Sequence, residues 1–459
     1  MIVSYKNEIR EYQFVDSSII NNNKNIFTVI VGKNGTGKSR LLSKLVVDLL
    51  FFESERNSFL RQEILFDDNS IGIFKIDYNP KKIIAVSTSP FDKFPINRFR
   101  KQFKGYSYLG LRELQSFNFG LSYMSKIIGS LIEALINKPS QINEITRVLE
   151  YLGYTDSITV KFQTRITSKF INDFLSSKDL FSNFDEVTKL IRSSFMGFNK
   201  SFFENEDGTY SKKKINHLET ILKKLGKVST INGLFSNLII NKWGISDIES
   251  QFPEHFNYLI FLLKCGILRL QDVILTKSDS NTPFSIKDAS SGEQSVVISI
   301  LGIASQIEDE SLICIDEPEI CLHPEWQERY MKILTSTFNI YNRCHFVIAT
   351  HSPQIVANLD AENSFILSME NGEAMKASDF INKSADYQLA TLFDYPGFKN
   401  EYLTRIALSI MTKVANSKKF DDEDLKNYLI LNDQSKFMDK HDPLRKIISL
   451  LDELKCKYA

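Results

Sequence analysis

The stretch NIFTVIVGKNGTGKSRLLSKLVVDLLFF, residues 25–52, limits the possible folds more than any other part of the chain. A β-type apolar run, Ile26 to Val31, passes through a glycine-rich turn into a helix-period segment. Gly32, Lys33, Asn34, Gly35, Thr36, Gly37, Lys38 and Ser39 satisfy the spacing G-x-x-x-x-G-K-[ST]. The glycines let the backbone curl until its N–H groups point inward, which makes a cradle for phosphate oxygens. The helix that follows starts at the phosphate and adds the positive end of its dipole. In that setting Lys38 reaches the β and γ phosphates of a triphosphate, and the Ser39 hydroxyl is a ligand for Mg²⁺. The expected class is α/β.

Two later segments put polar residues at the ends of apolar strands. In SLICIDEPEICLHPEWQERYMKIL the run Leu312 to Ile315 ends in Asp316-Glu317, and Pro318 stops the strand. A strand buried on both faces reads as one apolar run, and ligands gather beyond its C-terminal end. Asp316 is thereby placed to hold Mg²⁺ and Glu317 to polarise an attacking water. In NRCHFVIATHSPQIVANL the run Phe346 to Ala349 leads to Thr350, His351 and Ser352. His351 is placed to sense a γ phosphate or to position water. A third patch, ASSGEQ at 289–294, holds Ser291, Gly292 and Glu293 ahead of the apolar run SVVISIL, and nothing in it reads as core.

In the order GKNGTGKS, SSGEQ, LICIDEPE and IATHS, these segments resemble the Walker A, signature, Walker B and switch-histidine motifs of ABC-type ATPases. The resemblance is closest to the soluble branch, with SMC and Rad50-like proteins, OLD-family ATPases and bacterial defence ATPases. It spans about residues 1–110 and 280–375. It implies a P-loop NTPase of the ABC ATPase-head type that takes ATP and Mg²⁺. It also implies that Lys38 and Ser39 hold triphosphate and magnesium, that Asp316 holds magnesium, that Glu317 is the base, and that His351 supports the γ phosphate. Ser291 and Gly292 would bond the γ phosphate held by a second copy, with the helix from Glu293 aimed at it. The implied assembly is a homodimer closed around ATP, and higher homo-oligomers. PEICLHPEWQ takes the place of the family's cross-dimer loop, where His323 reads either as a boundary residue or as a cap. One element departs: KKIIAVSTSPFDKFP ends its strand in Ser87, Thr88 and Ser89, with no glutamine there. Slow hydrolysis, or a nucleotide-bound clamp, stays open on that account.

Four regions follow: an N-terminal head part (1–119), a compact helical insertion (120–279), a C-terminal head part (280–375) and a C-terminal helical tail (376–459). The insertion carries SKIIGSLIEALINK, INEITRVLEYLGY, FSNFDEVTKLIRSSFMGF and LETILKKLGK, helix-period segments too interrupted for a long coiled coil. The tail suggests about three helices, the last amphipathic, and no nuclease motif is legible in it. STSPFDKFP together with YLGLRE resembles the ATPase subunit of Septu-type antiphage defence and its retron-associated relatives. That resemblance implies a separate HNH-family endonuclease as partner, with DNA reached through the complex. An SMC-type repair ATPase and a rarely cycling clamp are the alternatives.

Fifty-six basic and fifty-six acidic residues cancel, which excludes a constitutive polycation that coats nucleic acid. Local basic runs at Arg98–Lys104 and Lys212–Lys214 read as solvated surface over buried phenylalanines before they read as DNA contacts. His255 in HFN has no metal-ligand pattern around it. The five cysteines lack CxxC spacing and fit a reducing cytoplasm. No run reaches the roughly 18 apolar residues of a membrane span, and the charged N-terminus lacks a leader-like core.

Overall fold

A run such as SLICID has no solvent face, so its strand must be covered on both sides. In the computed structural model the six residues of β12 (Ser311–Asp316) are all buried, as are those of β3 (Ile26–Val31), β13 (His345–Ala349) and β14 (Ser364–Ser368). They join β5 (Lys82–Ser87), β6 (Tyr106–Leu109) and β15 (Ala374–Lys376) in a seven-stranded sheet of order β15-β14-β3-β13-β12-β5-β6. Every pairing is parallel except β14 with the edge strand β15. The P-loop α/β expectation holds. The described residues are 1–16, 23–55, 72–96, 105–112, 119–164, 198–205, 208–226, 235–247, 256–360 and 362–458, with 171–172, 174–175, 181, 184–186 and 188–189.

Alternate residues of each strand serve opposite faces. Ile30, Ala85, Cys314 and Val347 pack with Leu41, Leu45 and Leu49 of α1 (Lys38–Glu55). The same face carries a small antiparallel sheet, β2 (Glu11–Gln13), β1 (Ile2–Lys6) and β4 (Ile73–Ile76), tied to α1 by the Tyr5 hydroxyl donating to Asp48 Oδ2 at 2.6 Å. The opposite face packs Val29, Val86, Ile313 and Ile348 under α2 (Phe119–Asn137), α3 (Ile142–Tyr151), α6 (Ser291–Ala304) and α7 (Pro324–Phe338). The stacked rings of Phe27 and Phe346, 4.8 Å apart, join β3 to β13 there. The His345 imidazole is buried between Thr28 Oγ1, 2.9 Å away, and the Ile2 N–H, and burial holds its pKa down to about 3, so it is a neutral core residue.

The inserted region is mixed, which corrects the expectation of a helical one. The helix-period segments do form α2, α3 and α4 (Lys212–Gly226), followed by α5 (Phe256–Lys264); FSNFDEVTKLIRSSFMGF lies mostly outside the described residues. Between them run β7 (Tyr154–Thr164), β8 (Phe235–Asn241), β9 (Gly244–Asp247) and β10 (Leu268–Lys277), which with β11 (Pro283–Ser285) make an antiparallel sheet of order β11-β10-β7-β8-β9. The burial of β10 alternates for most of its length, as expected of a strand with one face on the core. No described helix exceeds the 19 residues of α2, so none forms a long arm.

After β15 and α8 (Pro353–Ala357), the tail forms α9 (Ala385–Thr391), α10 (Glu401–Ser417), α11 (Asp422–Ser435) and α12 (Leu444–Tyr458). It has its own core, in which Leu403, Ile410, Leu431 and Leu451 are buried together. Leu444, Ile448 and Leu451 fall on one stripe of α12, the expected amphipathic pattern. Among the described residues no helix is long and apolar enough to cross a membrane.

Candidate nucleotide site

Four strand ends meet at one edge of the parallel sheet. Register places Ile30 beside Ala349, Ala349 beside Asp316, and Asp316 beside Ser87. The glycine-rich turn, the Thr350-His351 loop, the Asp316-Glu317 turn and the Ser87–Ser89 loop are therefore neighbours. Gly35 and Gly37 have φ of +81° and +95°, which side chains other than glycine seldom adopt. A Cβ on Gly32 would lie 3.0 Å from Met369 Cβ, so the loop starts in close contact with the end of β14. Asn34 and Gly35 are exposed at the tip, and the Thr36 hydroxyl donates to Lys33 O at 2.8 Å to close the turn. The Leu41 N–H donates to Gly37 O at 2.8 Å, which leaves the N–H groups of Lys38, Ser39 and Arg40, in the first turn of α1, without helical acceptors and turned toward the loop.

Lys38 is buried, and its ammonium donates to Gly32 O at 2.8 Å and Lys33 O at 3.2 Å, with His351 Nδ1 also 3.2 Å away. Burial pulls its pKa down to about 8, against the pull of Glu317, Glu319 and Asp316. The Ser39 hydroxyl donates to Asp316 Oδ1 at 2.9 Å. Burial lifts Asp316 to about 7, opposed by that bond from Ser39 and reinforced by Glu317. A buried carboxylate and a hydroxyl in contact are hard oxygen donors short of positive charge, and they fit Mg²⁺. Glu317 leaves the strand at φ +48°, held by its N–H donating to Ala349 O at 2.9 Å. Its carboxylate stays partly exposed, with Oε1 3.6 Å from His351 Nε2. Burial, then the charge on Lys38, pushes the His351 pKa down to about 4. The imidazole is neutral at pH 7, and its approach to Glu317 is not an ion pair.

The signature patch opens α6 on the other face of the sheet from α1. Ser290 is the N-cap, its hydroxyl accepting from the Glu293 N–H at 3.2 Å. Ser291 is exposed, and Glu293 Oε1 accepts from the Tyr154 hydroxyl at 2.5 Å. Gly292 is buried, and a Cβ there would sit 2.9 Å from Cys321 O. Gly292→Ala sets a helix-propensity gain of up to about 1 kcal/mol against a backbone clash costing about 1–3 kcal/mol. Because the carbonyl belongs to backbone, the clash wins. Thermal unfolding of Gly292→Ala is expected at a lower temperature than that of the parent.

Other residues singled out in the sequence have local contacts. His323 is a cap: its ring accepts from the Glu325 N–H at the start of α7. Ser87 is buried, and its hydroxyl accepts from the Ser89 N–H at 3.1 Å, while Thr88 Oγ1 is buried without a partner among the described residues. Lys212 and Lys214 lie 4.8 Å over the rings of Phe181 and Phe202. Arg98–Lys104 and His255 lie outside the described residues. Two features were not foreseen. The Lys33 ammonium lies 3.7 Å over Phe437 of the tail and within 4 Å of Glu370 and Asp394, at 3.6 and 3.9 Å, so the glycine-rich loop touches turns of the C-terminal tail. Glu319, two residues past Glu317, accepts the main-chain N–H of His351. The acidic residue in DEPE was the available signal for the second. For the first there was none.

The family model "AAA domain, putative AbiEii toxin, Type IV TA system" matches residues 157–357, which hold the signature patch, Asp316-Glu317 and His351 but not the glycine-rich loop. The chain is 23% identical over 409 residues to "Retron Ec83 probable ATPase" of Escherichia coli, covering 80% of this chain and 71% of that protein. It is 23% identical over 375 residues to "Retron Vc95 probable ATPase" of Vibrio cholerae serotype O1 biovar El Tor, covering 74% and 68%. Among solved structures, an Smc head domain with an extended coiled coil, bound to the C-terminal domain of ScpA and derived from Pyrococcus furiosus, aligns over 82% of this chain and 97% of its own. Its identity is 12% and its TM-score 0.29. An SmcHead bound to the C-winged helix domain of ScpA aligns at 13% identity and TM-score 0.26, over 81% and 94%. At those scores the fold assignment rests on sheet order and loop geometry.

Proposed function

We propose that this chain hydrolyses ATP at a site completed by a second copy of itself, and that this cycle governs a separate HNH-family endonuclease acting on DNA in bacterial antiphage defence. The observation that carries the reading is the convergence of Lys38, Ser39, Asp316, Glu317 and His351 on adjacent strand ends. The retron-associated relatives support the defence setting.

ATP is the substrate. Its phosphates compete with Gly32 O and Lys33 O for the Lys38 ammonium, while the loop and α1 amides take the remaining oxygens. Ser39 and Asp316 would hold Mg²⁺, which supplies neutralisation of charge on the β and γ phosphates. Glu317 takes a proton from the water that attacks the γ phosphorus, and the bond to the β-bridging oxygen breaks to give ADP and phosphate. The neutral His351 can donate one hydrogen bond from Nε2 to the γ phosphate or the water while Nδ1 accepts from Lys38. Ser291, exposed at the head of α6, offers its hydroxyl and the helix amides to the γ phosphate of the other copy. Ser87 and Thr88, where related heads carry glutamine, favour slow turnover.

Ser291→Arg tests the shared site. The variant is expected to bind ATP as a monomer, to lose the ATP-induced dimer in light scattering, and to hydrolyse on the order of 100-fold more slowly. Parental dimerisation and turnover in that variant would remove the second copy from the reading.

A further inference from the structure

We propose that Glu319 is a positioning residue for the hydrolytic step: it holds the main chain of His351 so that the imidazole stays between Lys38 and Glu317. The inference rests on the reading of the site as an ATPase centre and goes beyond it, because it concerns a carboxylate that does not touch the reacting atoms.

The turn after β12 sets Glu319 in place. The Ile320 N–H donates to Glu317 O at 3.2 Å and the Leu322 N–H to Glu319 O at 3.0 Å, so the backbone around the glutamate is pinned on both sides. From there the side chain crosses to the end of the neighbouring strand β13, where Oε1 accepts the His351 N–H. The carboxylate is buried there, and the Thr350 side chain of the same loop also hydrogen-bonds to it. Burying a carboxylate costs free energy unless hydrogen bonds compensate it, and here those bonds come from the His351 loop. Here the geometry is that of two loops that must move as one. One carries Glu317, the other His351, and their side chains stand 3.6 Å apart. His351 Nδ1 is also 3.2 Å from the Lys38 ammonium. Without the Glu319 acceptor, the His351 N–H loses its partner, and between Thr350, whose N–H donates to Ile30 O, and Ser352, whose hydroxyl donates to Gln327, the chain can shift by a fraction of a side-chain diameter. Misplacement of about 1 Å costs on the order of 100-fold in rate. That shift costs Lys38 only its contact with His351 and leaves the loop amides in place, so the loss belongs in kcat and not in KM.

The experiment uses the full chain as parent, Glu319→Ala and Glu319→Gln. Glutamine keeps an acceptor oxygen at the same reach and removes the charge. Glu319→Ala is expected to bind ATP within about threefold of the parent and to lose on the order of 100-fold in kcat. Glu319→Gln is expected to recover about tenfold or more of that loss. In ¹³C–¹H spectra of the histidine rings, six in this chain, the His351 signal should broaden or shift in Glu319→Ala and keep its place in Glu319→Gln. The inference is overturned by parental kcat in Glu319→Ala, by a loss confined to KM, or by Glu319→Gln as impaired as Glu319→Ala with ATP still bound. If Glu319→Ala does not fold, kcat of Glu319→Gln within about tenfold of the parent sustains the inference and a deeper loss overturns it. A parent that hydrolyses no ATP ends the functional reading instead, and the His351 signal then decides the positioning role alone.

Discussion

Replacing Glu317 by glutamine is expected to stop turnover and leave ATP trapped between two copies of the chain. The amide is nearly isosteric with the carboxylate and keeps an oxygen facing water, but it cannot take a proton. General-base contributions of about 10²- to 10⁴-fold set the size of the fall in kcat. Binding should survive, because the loop amides between β3 and α1, with Lys38 and Ser39 at the start of α1, are proposed to take most of the triphosphate, while Glu317 stands past β12. Among the described residues its partly exposed carboxylate makes no ion pair that the substitution would break, since the His351 beside it is neutral. ATP should therefore shift Glu317→Gln to a dimer that persists through size-exclusion chromatography, where the parent returns to monomer as ATP is consumed. Unchanged turnover and unchanged size would take the base assignment away from Glu317.

Lys38→Ala should act on binding and leave the fold alone. A charge-assisted hydrogen bond to phosphate is worth roughly 3 kcal/mol, and on that scale ATP affinity falls by about 150-fold. The site already disfavours the lysine's charge in the absence of a ligand, as its lowered pKa shows. Removing the ammonium relieves that burial and forfeits its bonds to Gly32 O and Lys33 O. The two effects oppose each other, and the unliganded variant should melt close to the parent. What disappears is the rise in melting temperature on adding ATP, which follows the ratio of ligand concentration to Kd. An undiminished rise would show that the loop holds triphosphate without Lys38, and the loop reading would fall.

Most of this centre was legible in advance. The glycine-rich turn depends on residues within eight positions of one another, and Gly35 and Gly37 take the positive φ values their spacing implied. SLICID and HFVIA announced strands covered on both faces because such strands have no polar side to show. The same logic failed in the inserted region. YTDSITVKFQT alternates, as a half-buried strand does, but its partner β10 runs antiparallel from Lys277 back to Leu268, more than a hundred residues later. Flanking helix-period segments outweighed that weaker signal. The cap that His323 makes depends on where α7 starts, which its own short stretch did not fix.

The sequence by itself determined which stretches could curl around phosphate, which must be buried, and which carboxylates and imidazole would stand at strand ends. Those choices follow from local sterics and from the cost of exposing apolar side chains. Tertiary structure alone decided that Glu319 reaches the His351 backbone, that Lys33 lies over Phe437, and that Gly292 lets α6 close on the 321–323 backbone. Each of those contacts joins residues whose separation in space is set by how strands order and helices pack, and no short stretch of chain encodes that.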